Sequence, residues 1–384
     1  MIAKTFKGLE EVLARELIEL GADDVHIERR AVSFTGGKDM LYRANLCLRT
    51  ALRILVPITT FRAKDADEVY EQLKKIDWSQ YMTVETGFSI NATVYSDTFR
   101  HSKYLTYRVK DAIVDWWKER CDKRPSVKLT DPDLCLNIHV ANEEVTLSLD
   151  SSGESLHKRG YRVATTEAPI SEVLAAGLLL MAGWNGESDF YDPMCGSGTF
   201  LIEAALIARN IPPGVFRDSF GFEKWLDFDA GLWSDIYNDD SGEREFTHTI
   251  YGSDASYYAV QQAAKNIKAA GVQKNIELRQ IRMEEIRTAD GKCPDGKMLV
   301  MINPPYGERL ANKKDIEALY AAIGTALKHH FTGATAWIIS SNDEAMKHIG
   351  LKPSRKIRLL NGELDCQFNR YDLFAGKRND QMSK

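Results

Sequence analysis

The chain has 384 residues, of which 44% are hydrophobic and 27% charged, and its formal net charge at pH 7 is −5. This length and composition fit a globular protein of two or three domains and exclude a disordered or fibrous chain. No apolar run approaches the roughly 20 residues of a membrane span, the first residues lack the apolar core of a signal peptide, and the six scattered cysteines contain no Cys-x-x-Cys pair. We therefore expect no membrane association, no metal site, no disulfide framework, and reduced thiols in the cytoplasm.

The first 150 residues mix helix and strand patterns. Apolar residues on one face of residues 7–20 predict an amphipathic helix that Gly21 ends, and further helices are predicted near 39–48 and 104–117. Apolar, partly alternating runs predict strands, which lie at 32–34, 52–56, 88–94, 134–140 and 145–149. These strands look antiparallel, so an α+β fold is expected for this part.

After Gly160 the pattern changes to short apolar strands that alternate with helices. The predicted strands lie at 189–191, 249–251, 275–278, 298–302 and 335–339. This alternation predicts a parallel sheet with helices on both faces. Asn361-Gly362 between two strand-like runs predicts a hairpin, so the last strand should be antiparallel to its neighbour. Residues 214–247, rich in Trp, Phe and Asp, are predicted to be an insertion rather than a domain.

A glycine-rich octapeptide follows the first of these parallel strands and directly precedes a predicted helix. It reads Asp192-Pro193-Met194-Cys195-Gly196-Ser197-Gly198-Thr199. The two glycines let the backbone turn sharply and approach a ligand, and the helix start offers free N–H groups. A carboxylate at the strand end suits a cationic ligand group better than a phosphate. Two glycines alone would indicate only a connecting turn, but the whole octapeptide in a strand–turn–helix setting favours a ligand site.

A second acidic residue, Asp254, ends the next strand in the sequence Gly252-Ser253-Asp254. An acidic residue at this position binds ribose hydroxyls in related nucleotide folds. The alternative is that Asp254 or Ser256 caps the following helix. With the octapeptide at the correct order and spacing, we favour ribose binding.

A third motif, Asn303-Pro304-Pro305-Tyr306, follows the strand at 299–302. The prolines stiffen the loop and remove two N–H donors, so nearby carbonyls and the Asn303 side-chain oxygen are expected to accept hydrogen bonds from one amine. Tyr306 offers a flat face on which a base can stack. Because a base amine is weakly nucleophilic, its positioning matters more than removal of a proton. A structural proline loop is the alternative.

The three motifs together resemble class I methyltransferases that modify amines, for which Asn-Pro-Pro-Tyr is a hallmark. The chain is also similar to THUMP-domain RNA methyltransferases, and most of all to the guanine-N2 methyltransferases of bacterial large-subunit rRNA, in a form without a second fused methyltransferase domain. This closer likeness rests on residues 7–10, 110–113, 150–162, 168–176 and 222–225.

The resemblance implies S-adenosylmethionine as cofactor and a role for each motif. Pro169 and the octapeptide from Asp192 to Thr199 would border the cofactor, Asp254 would bind its ribose, and residues 303–306 would hold the target base, with Asn303 also facing the cofactor. After the third strand many relatives place an Asp near the adenine, and this chain has Met283 and Glu284 there instead. Either Met283 packs on the adenine or Glu284 accepts a hydrogen bond from its amine; both options stay open.

The implied architecture is a ferredoxin-like α+β region at 1–60, a THUMP RNA-binding domain at 61–155 and a Rossmann-like α/β methyltransferase at 156–384. The implied activity is methylation of a guanine N2 amine in RNA, with 23S rRNA or a large-subunit precursor as partner. Adenine-N6 methylation of RNA or DNA, transfer RNA guanine-N2 methylation and a non-catalytic RNA-binding assembly factor remain alternatives.

The charge distribution adds little to this prediction. Residues 1–162 hold 25 Lys and Arg against 25 Asp and Glu, and residues 163–384 hold the remaining 25 against 30. This even balance in the N-terminal part is compatible with local basic surface there. Residues 100–110 mix basic and aromatic side chains, which fits an RNA contact and a solvated helix face equally well.

Overall fold

The structure is a computed structural model that describes residues 1–97, 99, 102–166, 169–286, 298–306 and 313–374. Arg100 and His101 of the candidate RNA contact, and Ala168 of the family-like segment, lie outside these residues. The chain forms two compact units. Unit 1 consists of residues 1–5, 13–156 and 217–239, and unit 2 of residues 6–12, 157–216 and 240–384.

Unit 1 contains a seven-stranded sheet in the order β2-β3-β1-β4-β7-β6-β5. Its strands are β1 (Ile2–Lys4), β2 (Asp23–Glu28), β3 (Ala31–Thr35), β4 (Arg53–Arg62), β5 (Phe88–Tyr95), β6 (Leu134–Ala141) and β7 (Glu144–Asp150). The helices in this part of the chain are α1 (Glu10–Leu20), α2 (Lys38–Cys47), α3 (Ala66–Leu73) and α4 (Ser102–Cys121), with a 3-10 turn at Trp78–Gln80.

The expectation of antiparallel pairing was wrong for one pair in this sheet. β5 and β6 run parallel along their whole length, from Phe88 opposite Leu134 to Tyr95 opposite Ala141. The 20-residue helix α4 lies between them in the chain. A helical crossover of this kind returns the chain to the end of the sheet at which β5 begins, so that the next strand runs parallel to β5. The remaining pairs of this sheet are antiparallel.

The aromatic insertion contributes to the core of unit 1. Its short helices are Gly221–Lys224, of 3-10 type, and α7 (Ala230–Tyr237), whereas the preceding 3-10 turn Pro213–Phe216 belongs to unit 2. The ring of Phe222 stacks on Tyr42 of α2 with centroids 4.5 Å apart, and Trp233 meets the same tyrosine edge-on at 5.8 Å. Such aromatic contacts stabilise a core beyond the area they bury, so residues 217–239 are structural in unit 1.

Unit 2 contains the predicted parallel sheet, in the order β10-β9-β8-β11-β12-β14-β13. Its strands are β8 (Phe190–Asp192), β9 (Ile250–Asp254), β10 (Ile276–Gln280), β11 (Leu299–Ile302), β12 (Thr335–Ser340), β13 (Arg355–Asn361) and β14 (Leu364–Asp372). Strands β8 to β12 are parallel, and β14 is antiparallel to β12. The predicted parallel sheet and its antiparallel last strands are confirmed.

The helices of unit 2 are α5 (Glu172–Met181), α6 (Thr199–Ala208), α8 (Tyr257–Ala269), α9 (Lys313–His330) and α10 (Asp343–Lys347), with 3-10 turns at Gln273–Asn275 and Met283–Glu285. Residues of α6 are buried along its entire length, as expected for a helix between a sheet and further helices. Among the helices of the described residues, none is long and apolar enough to cross a membrane.

The predicted hairpin is present with its turn shifted by one residue. Asn361 still pairs with Leu364, so the two turn residues are Gly362 and Glu363. Gly362 has a positive φ of 64°, and a glycine at the first turn position is typical of a type II′ turn.

Candidate active site

Three polar motifs meet at one edge of the sheet of unit 2. Asp192 ends β8, Asp254 ends β9 and Asn303 follows β11, and β8 lies between the other two strands. Because these strands are parallel, their carboxyl ends lie side by side, which is where open α/β sheets bind ligands. The structure therefore brings together three motifs that are far apart in the sequence.

The carboxyl group of Asp192 is buried, with only 2% of the residue exposed. One of its oxygens accepts a hydrogen bond from the Met194 N–H at 3.0 Å, and the described residues offer no donor to the other. Burial, reinforced by the carboxylate of Asp254, raises the pKa of Asp192 well above its usual range. A cationic ligand group near Asp192 would offset this cost of desolvation.

The glycine turn has a backbone that only glycine adopts readily. Gly196 and Gly198 have φ values of 53° and 84°, in the left-handed region that L-residues avoid. Gly198 is the N-cap of α6 and supplies no side-chain hydrogen bond to it. A Cβ at Gly198 would lie 3.2 Å from the Ala263 Cβ of α8, so the turn also allows two helices to approach closely.

Asp254 holds the glycine turn through its side chain. Its two oxygens accept hydrogen bonds from the N–H groups of Gly196 at 3.0 Å and Ser256 at 2.8 Å. The cap of α8 is Ser256, whose hydroxyl accepts from the Ala259 N–H. Asp254 is therefore not the side chain that caps α8, and each carboxylate oxygen has a further lone pair for a ligand hydroxyl.

A hydrogen bond between two of its own side chains holds the loop after β11. The hydroxyl of Tyr306 donates to the side-chain oxygen of Asn303 at 2.6 Å, which is the acceptor predicted to bind an amine. Asn361 of β13 donates to the same hydroxyl at 3.4 Å, and the Asn342 side chain donates to the Tyr306 carbonyl at 3.0 Å. Burial raises the pKa of Tyr306, so the hydroxyl stays protonated and remains a donor.

Tyr320 of α9 also contacts this loop. Its hydroxyl contacts the carbonyl of Pro305 at 3.4 Å and the hydroxyl of Ser340 at 2.7 Å. Burial raises the pKa of Tyr320 to about 12. Next to the loop the surface has a cavity of about 260 Å³, lined by Tyr306, Ser341, Asn342, Asp343, Glu344 and Leu364.

The remaining predicted residues lie around the same edge with different exposure. Pro193, Cys195, Ser197 and Thr199 are buried, Met194 is half-buried, and Pro169 is exposed. Met283 is 3% exposed and packs in the core with Ile302 and Tyr191, whereas Glu284 is exposed. The two options for the adenine contact therefore differ: Met283 would offer an apolar side chain buried in the core, and Glu284 would offer a carboxylate exposed at the surface.

A family model described as the methyltransferase domain of RMKL-like proteins matches residues 159–370, which is more than half of the chain. The chain belongs to this methyltransferase family. Models of the RlmL ferredoxin-like domain and of the THUMP domain match residues 1–55 and 63–150. The predicted combination of ferredoxin-like, THUMP and class I methyltransferase folds is confirmed.

Individual relatives agree with this membership of the methyltransferase family. A protein of Synechocystis sp. strain PCC 6803, provisionally named RNA methyltransferase slr0064, is 40% identical over 97% of this chain and 96% of its own length. Ribosomal RNA large subunit methyltransferase K/L of Syntrophotalea carbinolica is 38% identical over 96% of this chain. The match covers 52% of that relative, so the chain spans about half of its length.

Solved structures match nearly the whole chain, and one of them contains a bound ligand. The crystal structure of SMU.472, provisionally assigned as a methyltransferase and complexed with SAH, has a TM-score of 0.86 and 31% sequence identity. The match covers 98% of each chain. Together with the family model, it identifies unit 2 as a class I methyltransferase fold.

Sequence reasoning missed the residue that ties the methyltransferase glycine turn to the segment before α5. The guanidinium of Arg162 donates to the Glu172 carboxylate at 2.6 Å and to the hydroxyls of Ser197 and Thr199, each at 3.0 Å. It also donates to the Ile170 carbonyl at 3.2 Å. The five donors of an arginine in a planar fork make this bridge possible. Its only sequence signal was membership of the family-like segment.

Asn266 of α8 is a second residue that was missed. It is 1% exposed and its amide donates to the carbonyls of Ala164 and Ser197, at 2.8 and 3.0 Å. Its oxygen accepts from the N–H groups of Val163 and Ala164. A buried amide in the middle of a helix has no distinctive spacing, so only the folded chain reveals that it joins this segment to the glycine turn.

Proposed function

We propose that the chain transfers a methyl group from S-adenosylmethionine to the exocyclic N2 amine of a guanine in RNA, with large-subunit rRNA as substrate. The observation that carries the proposal is the convergence of Asp192, Asp254 and the Asn303 loop at adjacent strand ends. In a member of a methyltransferase family, this arrangement supplies one place for a cationic cofactor and one for an amine.

The residues present fit this cofactor. The carboxylate of Asp192, buried and with a single hydrogen bond, is suited to the positively charged methionine part. Asp254 has acceptor capacity left for the ribose hydroxyls. Pro169 and the octapeptide 192–199 would border the methionine part, and Met283 or Glu284 the adenine. When bound, S-adenosylmethionine supplies an activated methyl group.

The chain's own task is to position the amine. The side-chain oxygen of Asn303 and the carbonyl of Pro304 are the acceptors that would orient the two amine hydrogens, leaving the nitrogen lone pair directed at the methyl donor. Because the Tyr306 hydroxyl now binds Asn303, an incoming amine has to displace it. The ring of Tyr306 would then provide the stacking face for the base.

The RNA substrate is supported by the THUMP match and by the names of the relatives. The choice of guanine N2 rests on the resemblance described from the sequence, since the Asn-Pro-Pro-Tyr loop fits adenine N6 equally well. Stacked bases are not accessible to such a loop, so the target nucleotide would be flipped out or lie in an RNA loop. Ribosomal RNA as substrate would place the protein in the cytoplasm.

The experiment is transfer of labelled methyl from S-adenosylmethionine to unmodified total RNA, followed by nucleoside analysis by mass spectrometry. We expect N2-methylguanosine in the large-subunit rRNA, and loss of the signal in the Asn303→Ala variant. N6-methyladenosine would overturn the base, methylguanosine in transfer RNA would overturn the RNA class, and full activity of Asn303→Ala would overturn the assignment of the site.

A non-catalytic role is separated by cofactor binding. An assembly factor with a vestigial pocket should show no thermal stabilisation by S-adenosylmethionine, whereas a ligand that binds the folded state stabilises it. Stabilisation without transfer to protein-free RNA would direct the same assay to large-subunit precursor particles.

A further inference from the structure

One stretch of unit 2 has a charge opposite to that of its surroundings. Residues 345–362 contain five Lys and Arg and neither Asp nor Glu, whereas the rest of unit 2 contains 22 Lys and Arg against 26 Asp and Glu. The five are Lys347, Lys352, Arg355, Lys356 and Arg358. We refer to residues 347–358 as the basic segment.

The basic segment leads from the end of α10 into β13 and presents its charges to solvent. It ends in β13, the edge strand beside β14, and all five cationic residues are exposed. Lys352, Arg355 and Lys356 have no side-chain hydrogen bond or ion pair with the residues that the structure describes. Three unpaired cations within five residues make a local positive field in an otherwise acidic unit.

Charged residues on an edge strand can also serve to prevent pairing with other sheets. That role needs no relation to the active site, yet this segment has one. Arg358 forms an ion pair with Asp343 at 2.6 Å, and Asp343 lines the cavity beside Tyr306. Asn361, three residues further along β13, donates to the Tyr306 hydroxyl. The basic segment therefore leads directly to the loop that would hold the base.

We propose that the basic segment binds the phosphate backbone of the RNA strand that delivers the target nucleotide to Tyr306. At ~3.3 Å per strand residue, Arg355 lies roughly 20 Å from Asn361, so the surface spans several nucleotides next to the target. Phosphate contacts of this kind position the RNA without reading its sequence. The inference rests on the proposed function, which names RNA as the substrate.

The test compares two triple variants with the same loss of charge. The first is Lys352→Gln, Arg355→Gln, Lys356→Gln in the basic segment. The matched control is Lys265→Gln, Lys268→Gln, Lys274→Gln, three exposed lysines on α8 and just before β10, at the opposite edge of the same sheet. All six side chains are free of partners in the described structure, so both variants should fold, which thermal melting checks.

The measurement is the Kd for an unmodified 23S rRNA transcript as a function of salt, from about 50 to 200 mM. Each lost phosphate contact lowers the slope of log affinity against log salt by about 0.7 to 0.9. We expect the basic-segment variant to lose about 2 units of slope and to bind at least about tenfold more weakly at 100 mM salt. The control should stay within about twofold, and KM for S-adenosylmethionine should be unchanged in both.

Equal weakening in the two variants would mean a general effect of net charge and would overturn the proposal, as would no weakening in either. Methyl transfer by the unaltered chain distinguishes a failure of this surface assignment from a failure of the proposed function. If the unaltered chain methylates RNA but the two triple variants bind alike, the surface assignment fails alone. If the unaltered chain methylates no RNA in free or particle form, the proposed function fails.

Discussion

At Asp192, burial and the neighbouring Asp254 carboxylate both raise the pKa of a side chain that the proposed function needs in its charged form. A group whose pKa is raised on folding favours the folded state below its unfolded pKa, near 4, and loses that advantage as the pH rises through the folded pKa. The ionised side chain therefore destabilises the ligand-free protein at neutral pH.

We expect Asp192→Asn to melt higher than the unaltered protein at pH 7, by roughly 2 °C or more, and the difference to vanish near pH 4. The asparagine oxygen can still accept from Met194, but the negative charge is gone. Binding of S-adenosylmethionine should weaken by about tenfold or more, measured by calorimetry. A lower melting temperature together with unchanged binding would contradict both parts.

Tyr306 allows its hydroxyl and its ring to be tested separately. Tyr306→Phe removes the donor that occupies Asn303 and keeps the stacking face, so methyl transfer to RNA should stay within about threefold. Tyr306→Ala removes a stack worth about 1–3 kcal/mol, and kcat/KM for RNA should fall about 10- to 100-fold. Single-turnover transfer rates measure both. An alanine variant as active as the phenylalanine variant would refute stacking.

The residues of the site differ in how far the sequence predicts them. Asp192, Asp254 and Asn303 are visible because each follows an apolar strand and the strands are parallel. The hydrogen bond from Tyr306 to Asn303 is not visible, because it depends on two side-chain rotamers. The bridges that Arg162 and Asn266 make to Ser197 join segments 35 and 69 residues apart, and no local pattern marks such long-range contacts.

At the level of elements, Arg162 joins the glycine turn to the start of helix α5 and so helps to hold the turn in position. Arg162→Lys keeps the charge but loses the planar fork that reaches Glu172, Ser197 and Thr199 together. We expect KM for S-adenosylmethionine to rise about tenfold while kcat changes less than threefold. Steady-state kinetics on RNA give both values. A loss confined to kcat or to the melting temperature would contradict this positioning role.

Helix α9 reaches the backbone before β13 at a position where only glycine fits. A Cβ on Gly324 would lie 1.7 Å from the carbonyl oxygen of Ile349, and a backbone atom cannot move aside as a flexible side chain can. Gly324→Ala should lower the free energy of unfolding of unit 2 by about 3 kcal/mol, measured by chemical denaturation. Thr325→Ala, at an exposed neighbouring position, should change it by less than about 0.5 kcal/mol.

The sheets show which features of an element the sequence predicts. The parallel strands of unit 2 and the final hairpin follow from alternation and turn residues. The parallel pairing of β5 and β6 was not anticipated, although the helix between them, α4, was predicted. Apolar alternation identifies which face of a strand is buried and carries no information on strand direction. The direction of β6 relative to β5 had to be inferred from the length and type of the connection between them.

On the scale of the whole molecule, the compact units do not follow the order of the chain. Residues 6–12 belong to unit 2, and residues 217–239 to unit 1. The domain limits at 60 and 155 stay a prediction, since periodicity cannot show which unit a short segment joins. Leu9 is fully buried, and a Cβ on Gly177 of α5 would come within 2.6 Å of its side chain.

Leu9→Ala should therefore destabilise the methyltransferase unit by about 2–5 kcal/mol, although the residue lies at the start of the chain. Ile18→Ala, on α1 but 61% exposed, should have an effect below about 0.5 kcal/mol. Hydrogen exchange of α5 amides, read by mass spectrometry, locates the loss. If Leu9→Ala left α5 as protected as in the unaltered chain, the assignment of residues 6–12 to this unit would be wrong.

The position of Leu9 has a consequence for synthesis on the ribosome. Its partner Gly177 is made about 170 residues later, which at ~5–20 residues per second is a delay of roughly 8 to 35 s. During this interval the nascent chain carries Leu9 before the part of unit 2 against which it packs has been made. The methyltransferase unit can complete its packing only after translation has passed α5, so a chaperone that shields residues 6–12 should raise the yield of folded protein.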